Sequence, residues 1–140
     1  MEISTPGRIC LFGEHQDYLG LPVIAMAISL RANIVGEKRQ DRKIIIHKPD
    51  LGKKEIFSLN NLNYTHSRDY FKSGIKTCMN MGLSFEKGFE CEIKSNIPIQ
   101  AGTSSSSAIV VSWINFLAQL ADKNPKWSLE KIGKLAYQTE

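Results

Sequence analysis

The stretch from Ile97 to Leu117, IPIQAGTSSSSAIVVSWINFL, constrains the fold of this chain more than any other. A glycine and four consecutive serines stand directly before residues 108–121, which are apolar almost all round a helix. Such a helix has no wet face and belongs in the middle of a domain. Just upstream, Phe89, Cys91 and Ile93 alternate with Glu90, Glu92 and Lys94, the pattern of a half-buried strand. A Ser-rich connector needs spare length, and there is none between this strand and this helix. A glycine turn feeding a helix presents unpaired backbone N–H groups and the positive end of the helix dipole. That is a natural cradle for an anion. Serine hydroxyls placed there can cap the helix, bond phosphate oxygens or ligate Mg2+. The residues leave capping and phosphate binding both open. The loop lacks the GxxxxGK[ST] pattern of a Walker A loop, and no GxSxG elbow occurs anywhere in the chain.

The rest of the pattern places strands first. Ile9 to Phe12 is a short apolar run, and Val23 to Val35 reads as strand. Within it Ser29, Arg31 and Asn33 mark a wet face against Leu30, Ala32 and Ile34. Ile44–His47 and Glu55–Leu59 form two further strands around the KPDLGKK turn. Helical spacing of Tyr70, Phe71, Ile75, Cys78 and Met79 predicts a helix between Ser67 and Met81, with Ser67 as N-cap and Gly82 as terminator. Ser95 to Ser107 is expected to be loop. Ser128 caps a last helix that continues to Glu140. Strands followed by helix, strand and two helices predict an α+β layer rather than a regular βαβ winding.

Composition narrows the function classes. With 140 residues, 42% hydrophobic and 23% charged, the chain can bury a core, which excludes a disordered tail, a collagen-like repeat and a disulfide miniprotein. No apolar run reaches the roughly 18 residues of a membrane span. The N-terminus MEISTPGR lacks an apolar signal core, and Cys10, Cys78 and Cys91 form no CxxC pair. A cytoplasmic protein without disulfides or a purely side-chain metal site is therefore expected. The net charge of +4 comes partly from Arg39–Lys54, which reads as a solvated hairpin face. It lacks the interleaved aromatics of a nucleic-acid reader, so no nucleic-acid or membrane partner is expected. His47 and His66 have no partner at ligand spacing and read as incidental. Met26, Met79 and Met81 read as core filling.

A second informative segment, PGRICLFGEHQDYLG, gathers Arg8 with Glu14, His15 and Asp17, the last three in a loop after the first strand. Paired carboxylates with a histidine can recognise the hydroxyls of a polyol, and the same residues could equally form a surface ion-pair loop.

In this order the two segments resemble the signatures of the GHMP small-molecule kinases, those of galactokinases most closely. PGRxxLxGEHxDYxG is matched at Pro6, Gly7, Arg8, Leu11, Gly13, Glu14, His15, Asp17, Tyr18 and Gly20. The phosphate loop PxGAGLSSSA is matched by PIQAGTSSSSA at Pro98, Ala101, Gly102, Ser104, Ser105 and Ser106, and LAYQTE resembles the family's later helix. The resemblance spans essentially the whole chain. It implies the ribosomal-protein-S5-domain-2-like α+β fold of the family's N-terminal domain, and ATP-dependent phosphorylation of a sugar hydroxyl. By the same carry-over, Glu14, His15 and Asp17 hold sugar hydroxyls and Arg8 stabilises charge beside the reacting hydroxyl. Gly102, Ser104, Ser105 and Ser106 cradle the ATP phosphates, and Ser106 with Glu140 holds Mg2+. Three positions depart from the galactokinase pattern. Gln100 stands for glycine, Thr103 for leucine and Cys10 for asparagine. LGLPVIAMAI is similar to the GxPxxA segment of mevalonate kinases, whereas Asp17 is an acid those kinases lack and points to a sugar or sugar acid. The family's catalytic aspartate and C-terminal domain lie beyond the position of Glu140. The 140 residues are therefore expected to be the N-terminal portion of a longer kinase, inactive alone. The alternatives are a mevalonate-type kinase and a galactokinase-like sugar sensor without turnover.

Overall fold

The computed structural model describes residues 1–12, 24–62, 70–97, 105–123 and 125–139, and the backbone alone at 9–12, 24–25 and 105–106. Among these residues are five strands, β1 (Glu2–Phe12), β2 (Ile24–Lys38), β3 (Lys43–Lys48), β4 (Lys53–Ser58) and β5 (Phe89–Ser95). Three α-helices accompany them, α1 (Tyr70–Asn80), α2 (Ser105–Leu120) and α3 (Leu129–Thr139). The strands form one sheet in the order β1-β2-β5-β3-β4. Every pairing is antiparallel except β3 with β5, which run parallel. Two hairpin pairings, β1–β2 and β3–β4, joined through the inserted β5 and covered by helices, make the α+β layer expected from the sequence.

Alternation decides which face of the sheet is covered. Phe89, Cys91 and Ile93 on β5, Ile44 and Ile46 on β3, and Ala32 and Ile34 on β2 are buried against the helices. Glu92, Lys94 and Val35 on the same strands are exposed, as in antiparallel sheets with one wet face. The covering layer is centred on α2, whose Trp113, Ile114, Phe116 and Leu117 have 1% exposure or less. The Trp113 ring lies 5.7 Å from Phe89 and 5.1 Å, edge-on, from Phe71 of α1, and its Nε1 donates to the Phe71 carbonyl at 3.0 Å. An indole buried in this way keeps its one donor satisfied.

The helix ends follow from local chemistry. Gly82, at φ 98°, ends α1 with its N–H on the Met79 carbonyl, while Leu83 N–H reaches back to Cys78. These are the two bonds of a Schellman cap. The Ser128 hydroxyl accepts from Lys131 N–H at 3.1 Å, the expected N-cap of α3.

Four expectations are corrected. β1 begins at Glu2 rather than Ile9, because its polar half alternates Ile3 inward with Glu2 and Ser4 outward. α2 begins at Ser105, so the last serines belong to its first turn, where their N–H groups need no helical partner. Met26, Met79 and Met81 are 48%, 39% and 46% exposed and do not fill the core. Met26 lies where β2 has run past β5, and the other two follow the outer side of the α1 terminus. His47 is not incidental, since its Nε2 lies 2.6 Å from Glu90 Oε2 on the wet face of the sheet. The Ser67 cap lies outside the described residues. No helix among the described residues is long and apolar enough to cross a membrane.

Candidate active site

Strand β1 carries the first half of the site. Its pairing with β2 holds one register from Glu2↔Val35 to Pro6↔Arg31, then resumes at Arg8↔Ala27. Gly7 therefore faces three residues of β2, Ile28 to Leu30, a bulge of the kind that re-aims the next side chain. Arg8 follows directly. It lines a cavity of about 160 Å³ with Thr5, Pro6, Ser107, Ala108 and Val111. The end of the serine run and the predicted catalytic arginine thus share one small space, between β1 and the first two turns of α2.

The charge around that space favours an anion. α2 has no acidic residue in its first turn, so no charge of its own there opposes the positive end of a 16-residue helix. Arg8 is exposed and makes no hydrogen bond or ion pair with any described residue. The other described arginines are occupied. Arg31 donates to Ser4, Arg39 to Asp41 and Glu90, and Arg42 to Asn60 and the carbonyls of Phe85 and Glu86.

Two further cavities flank the helix. One of about 140 Å³ lies between Ile109 of α2, Phe71 of α1, Ile93, Ser95 and Ile97 at the end of β5, and Lys48, Asp50 and Leu51. Its walls are mostly apolar, and the Asp50 carboxylate at its rim accepts the Ser95 N–H at 2.8 Å. The other, of similar size, is lined by Ser107, Val111, Gly133, Ala136 and Tyr137. Three cavities thus surround the N-terminal half of one helix.

Of the residues singled out from the sequence, Arg8 sits in the first cavity, and Ser105 and Ser106 form the opening of α2. Glu14, His15, Asp17, Gly102, Ser104 and Glu140 lie outside the described residues. Sequence reasoning missed Thr5 and Ser112, whose hydroxyls meet at 2.6 Å across the sheet–helix boundary. The signal available was a serine in the middle of a largely apolar helix. No group of three metal-ligating side chains occurs among the described residues. The two described cysteines are free thiols whose pKa burial pushes up to about 12, so they offer no nucleophile.

Comparison with known proteins gives the family. The profile described as "GHMP kinases N terminal domain" matches residues 69–140, and that described as "Galactokinase galactose-binding signature" matches residues 2–38. The chain belongs to the GHMP kinases. The mevalonate kinase of Methanocaldococcus jannaschii is 34% identical over all of this chain and 46% of its own length. The galactokinase of Clostridium beijerinckii is 36% identical over 86% of this chain and 32% of its own. The structure of Lactococcus lactis galactokinase complexed with galactose superposes with a TM-score of 0.87 at 29% identity, covering 99% of this chain and 36% of that one. This chain therefore spans 32% to 46% of the length of these relatives, and its five-stranded sheet with three helices matches the GHMP kinase N-terminal domain. Galactokinases and mevalonate kinases are both among its similar proteins.

Proposed function

We propose that these residues are the acceptor- and nucleotide-binding portion of a cytoplasmic, ATP-dependent kinase that phosphorylates a sugar hydroxyl. The observation that carries this reading is Arg8, a cation without a partner among the described residues, sharing a cavity with Ser107 at the opening of α2. The donor set suits an anionic phosphate chain: a helix N-terminus with no acidic residue in its first turn, hydroxyls there and a guanidinium beside it. Backbone N–H groups at Gly102 and Ser104–Ser106 hold the phosphates. The apolar cavity by Ile97 and Ile109 takes the purine, with Asp50 at its polar rim. Glu14, His15 and Asp17 hold the sugar hydroxyls. Arg8 orients the acceptor oxygen and offsets the charge that develops beside it. Ser106 and Glu140 hold Mg2+, which when bound neutralises charge on the phosphates. Phosphoryl transfer relies on such alignment and charge stabilisation rather than on covalent chemistry by the protein.

The match of residues 2–38 to the galactose-binding signature supports a sugar acceptor, as does the acid at Asp17. The mevalonate kinase likeness over the whole chain favours a second reading, with mevalonate as acceptor. The test is the complete open reading frame that carries this chain, purified and assayed with Mg2+-ATP against a hexose panel and mevalonate. Hexose phosphorylation is expected. Turnover of mevalonate without any hexose would replace the first reading by the second. Tight hexose binding without turnover would leave a sensor. The 140 residues by themselves are expected to show no turnover.

A further inference from the structure

A side-chain hydrogen bond joins β1 to α2. Ser112, with 0% exposure, donates to Thr5 Oγ1 at 2.6 Å. Thr5 stands three residues before Arg8 and lines the same cavity. Ser112 stands seven residues after Ser105, about 10 Å along the helix from the opening of α2. One hydrogen bond therefore ties the strand that carries Arg8 to the helix that presents the serine turn, across 107 residues of sequence. A hydrogen bond between two hydroxyls brings little net stability, because apolar residues of the same shape can be as good or better. What an apolar pair cannot supply is direction. Methyl against methyl lets a helix slide by fractions of an ångström, whereas a short O–H···O bond fixes both distance and angle.

We infer that Thr5 and Ser112 are positioning residues, whose hydrogen bond sets the spacing between Arg8 and the N-terminal turn of α2. This rests on the kinase reading above for its catalytic consequence, and on the fold alone for its structural one. Neither side chain touches the reacting groups in this account. Both act through the elements they join, and alignment errors near 1 Å can cost up to about a hundredfold in rate.

Two substitutions at one position separate direction from packing. Thr5→Val keeps the shape and removes the hydroxyl, while Thr5→Ser keeps the hydroxyl and removes the methyl. Both are made in the complete open reading frame and compared with the parent. Thr5→Val is expected to lower kcat about tenfold with KM for both substrates within about twofold, and Thr5→Ser to keep kcat within about twofold. The double variant Thr5→Val with Ser112→Ala leaves no hydroxyl unpaired and should match Thr5→Val in kcat, which guards against a folding defect in the single variant. A second readout needs no turnover. Amide hydrogen exchange at Ile109–Ser112 of the ligand-free protein should quicken in Thr5→Val and not in Thr5→Ser. Loss of activity in Thr5→Ser with a normal Thr5→Val would overturn the proposal in favour of packing. Thr5→Val equal to the parent in both kcat and exchange would also overturn it. If the parent phosphorylates none of the acceptors, the kinase reading fails, and the exchange comparison still decides the role of the pair.

Discussion

The two faces of the sheet use the same strands for opposite purposes. On the helix side, β5 and β3 present Phe89, Cys91, Ile44 and Ile46, all 2% exposed or less, to a layer of aromatic rings. On the other side, one residue along, Glu90 accepts from Arg39 at 2.8 Å and pairs with His47 at 2.6 Å, in the open. The covered face holds the fold together. The open face holds charges that are already matched to one another. The candidate site belongs to neither. It lies where β1 meets the opening of α2, and there Arg8 has no described partner. Polar groups matched to one another belong to structure, and a cation without a partner among the described residues is a candidate for receiving an anion.

The largest effect should come from the covered face. Trp113 touches the rings of Phe71, Phe89 and Phe116 and donates to a buried carbonyl. Trp113→Ala removes those contacts and the indole hydrogen bond, and is expected to cost about 3–5 kcal/mol. A chain of this size has little more than that to lose. Urea denaturation measures it. A loss below about 1 kcal/mol would mean that the covered face is not the source of stability.

Next comes Arg8. Because it supports no described structure, Arg8→Ala should leave the urea midpoint unchanged while lowering kcat in the full-length kinase by about 10²–10³-fold, the scale of one preorganised charge-stabilising donor. Sugar affinity should weaken much less. An unchanged kcat would remove Arg8 from the chemistry, and a large stability loss would place it with the structural arginines instead.

A pair of helical glycines sharpens the contrast between covered and open surroundings. A Cβ on Gly74 of α1 would stand 2.7 Å from Trp113 Cδ1, on a ring that cannot move aside, whereas one on Gly133 of α3 would meet nothing within 4 Å. Alanine favours helix by up to about 1 kcal/mol over glycine at both positions. Gly74→Ala should nevertheless destabilise by about 1–2 kcal/mol through overpacking, and Gly133→Ala should stabilise by about 0.5–1 kcal/mol. The same sign for both in thermal melts would show that propensity outweighs packing here.

Much of the fold can be read from the chain because it is written in short-range periodicity. The alternation of Phe89, Cys91 and Ile93 with their charged neighbours, the apolar girth of α2 and the Ser128 cap all appear as expected. The start of α2 does not, since serine composition suits both a loop and a first helical turn. Contacts between distant residues escape such reading. The His47–Glu90 pair needs the parallel register of β3 against β5, with Ile45 opposite Glu90 and His47 opposite Glu92. The Thr5–Ser112 pair needs β1 to lie under α2. At the site, Arg8 and the serine turn were legible as family motifs, and their common cavity was not, because nothing local to either segment brings them together.

The smallest effect, and the one that tests the open face, is electrostatic. The hydrogen bond from His47, followed by that from Arg39, holds the Glu90 carboxyl below its ordinary value of 4.5. Arg39 likewise draws Asp41 from 3.8 down to about 2. A carboxyl whose folded pKa is depressed binds fewer protons folded than unfolded, so its contribution is present above the unfolded value and fades as pH falls towards the folded one. Glu90→Gln should therefore lower the melting temperature slightly at pH values above the ordinary carboxylate range. That gap should close as pH drops below the ordinary carboxylate range. Because the cluster is half exposed, the gap should be smaller than either glycine effect and should shrink further in high salt. kcat should not change, since these charges are matched to one another and lie outside the cavities around α2. A gap that widened on acidification, or a kcat that fell with it, would show that the open face is coupled to the site, and the division between matched and unmatched charge would no longer hold.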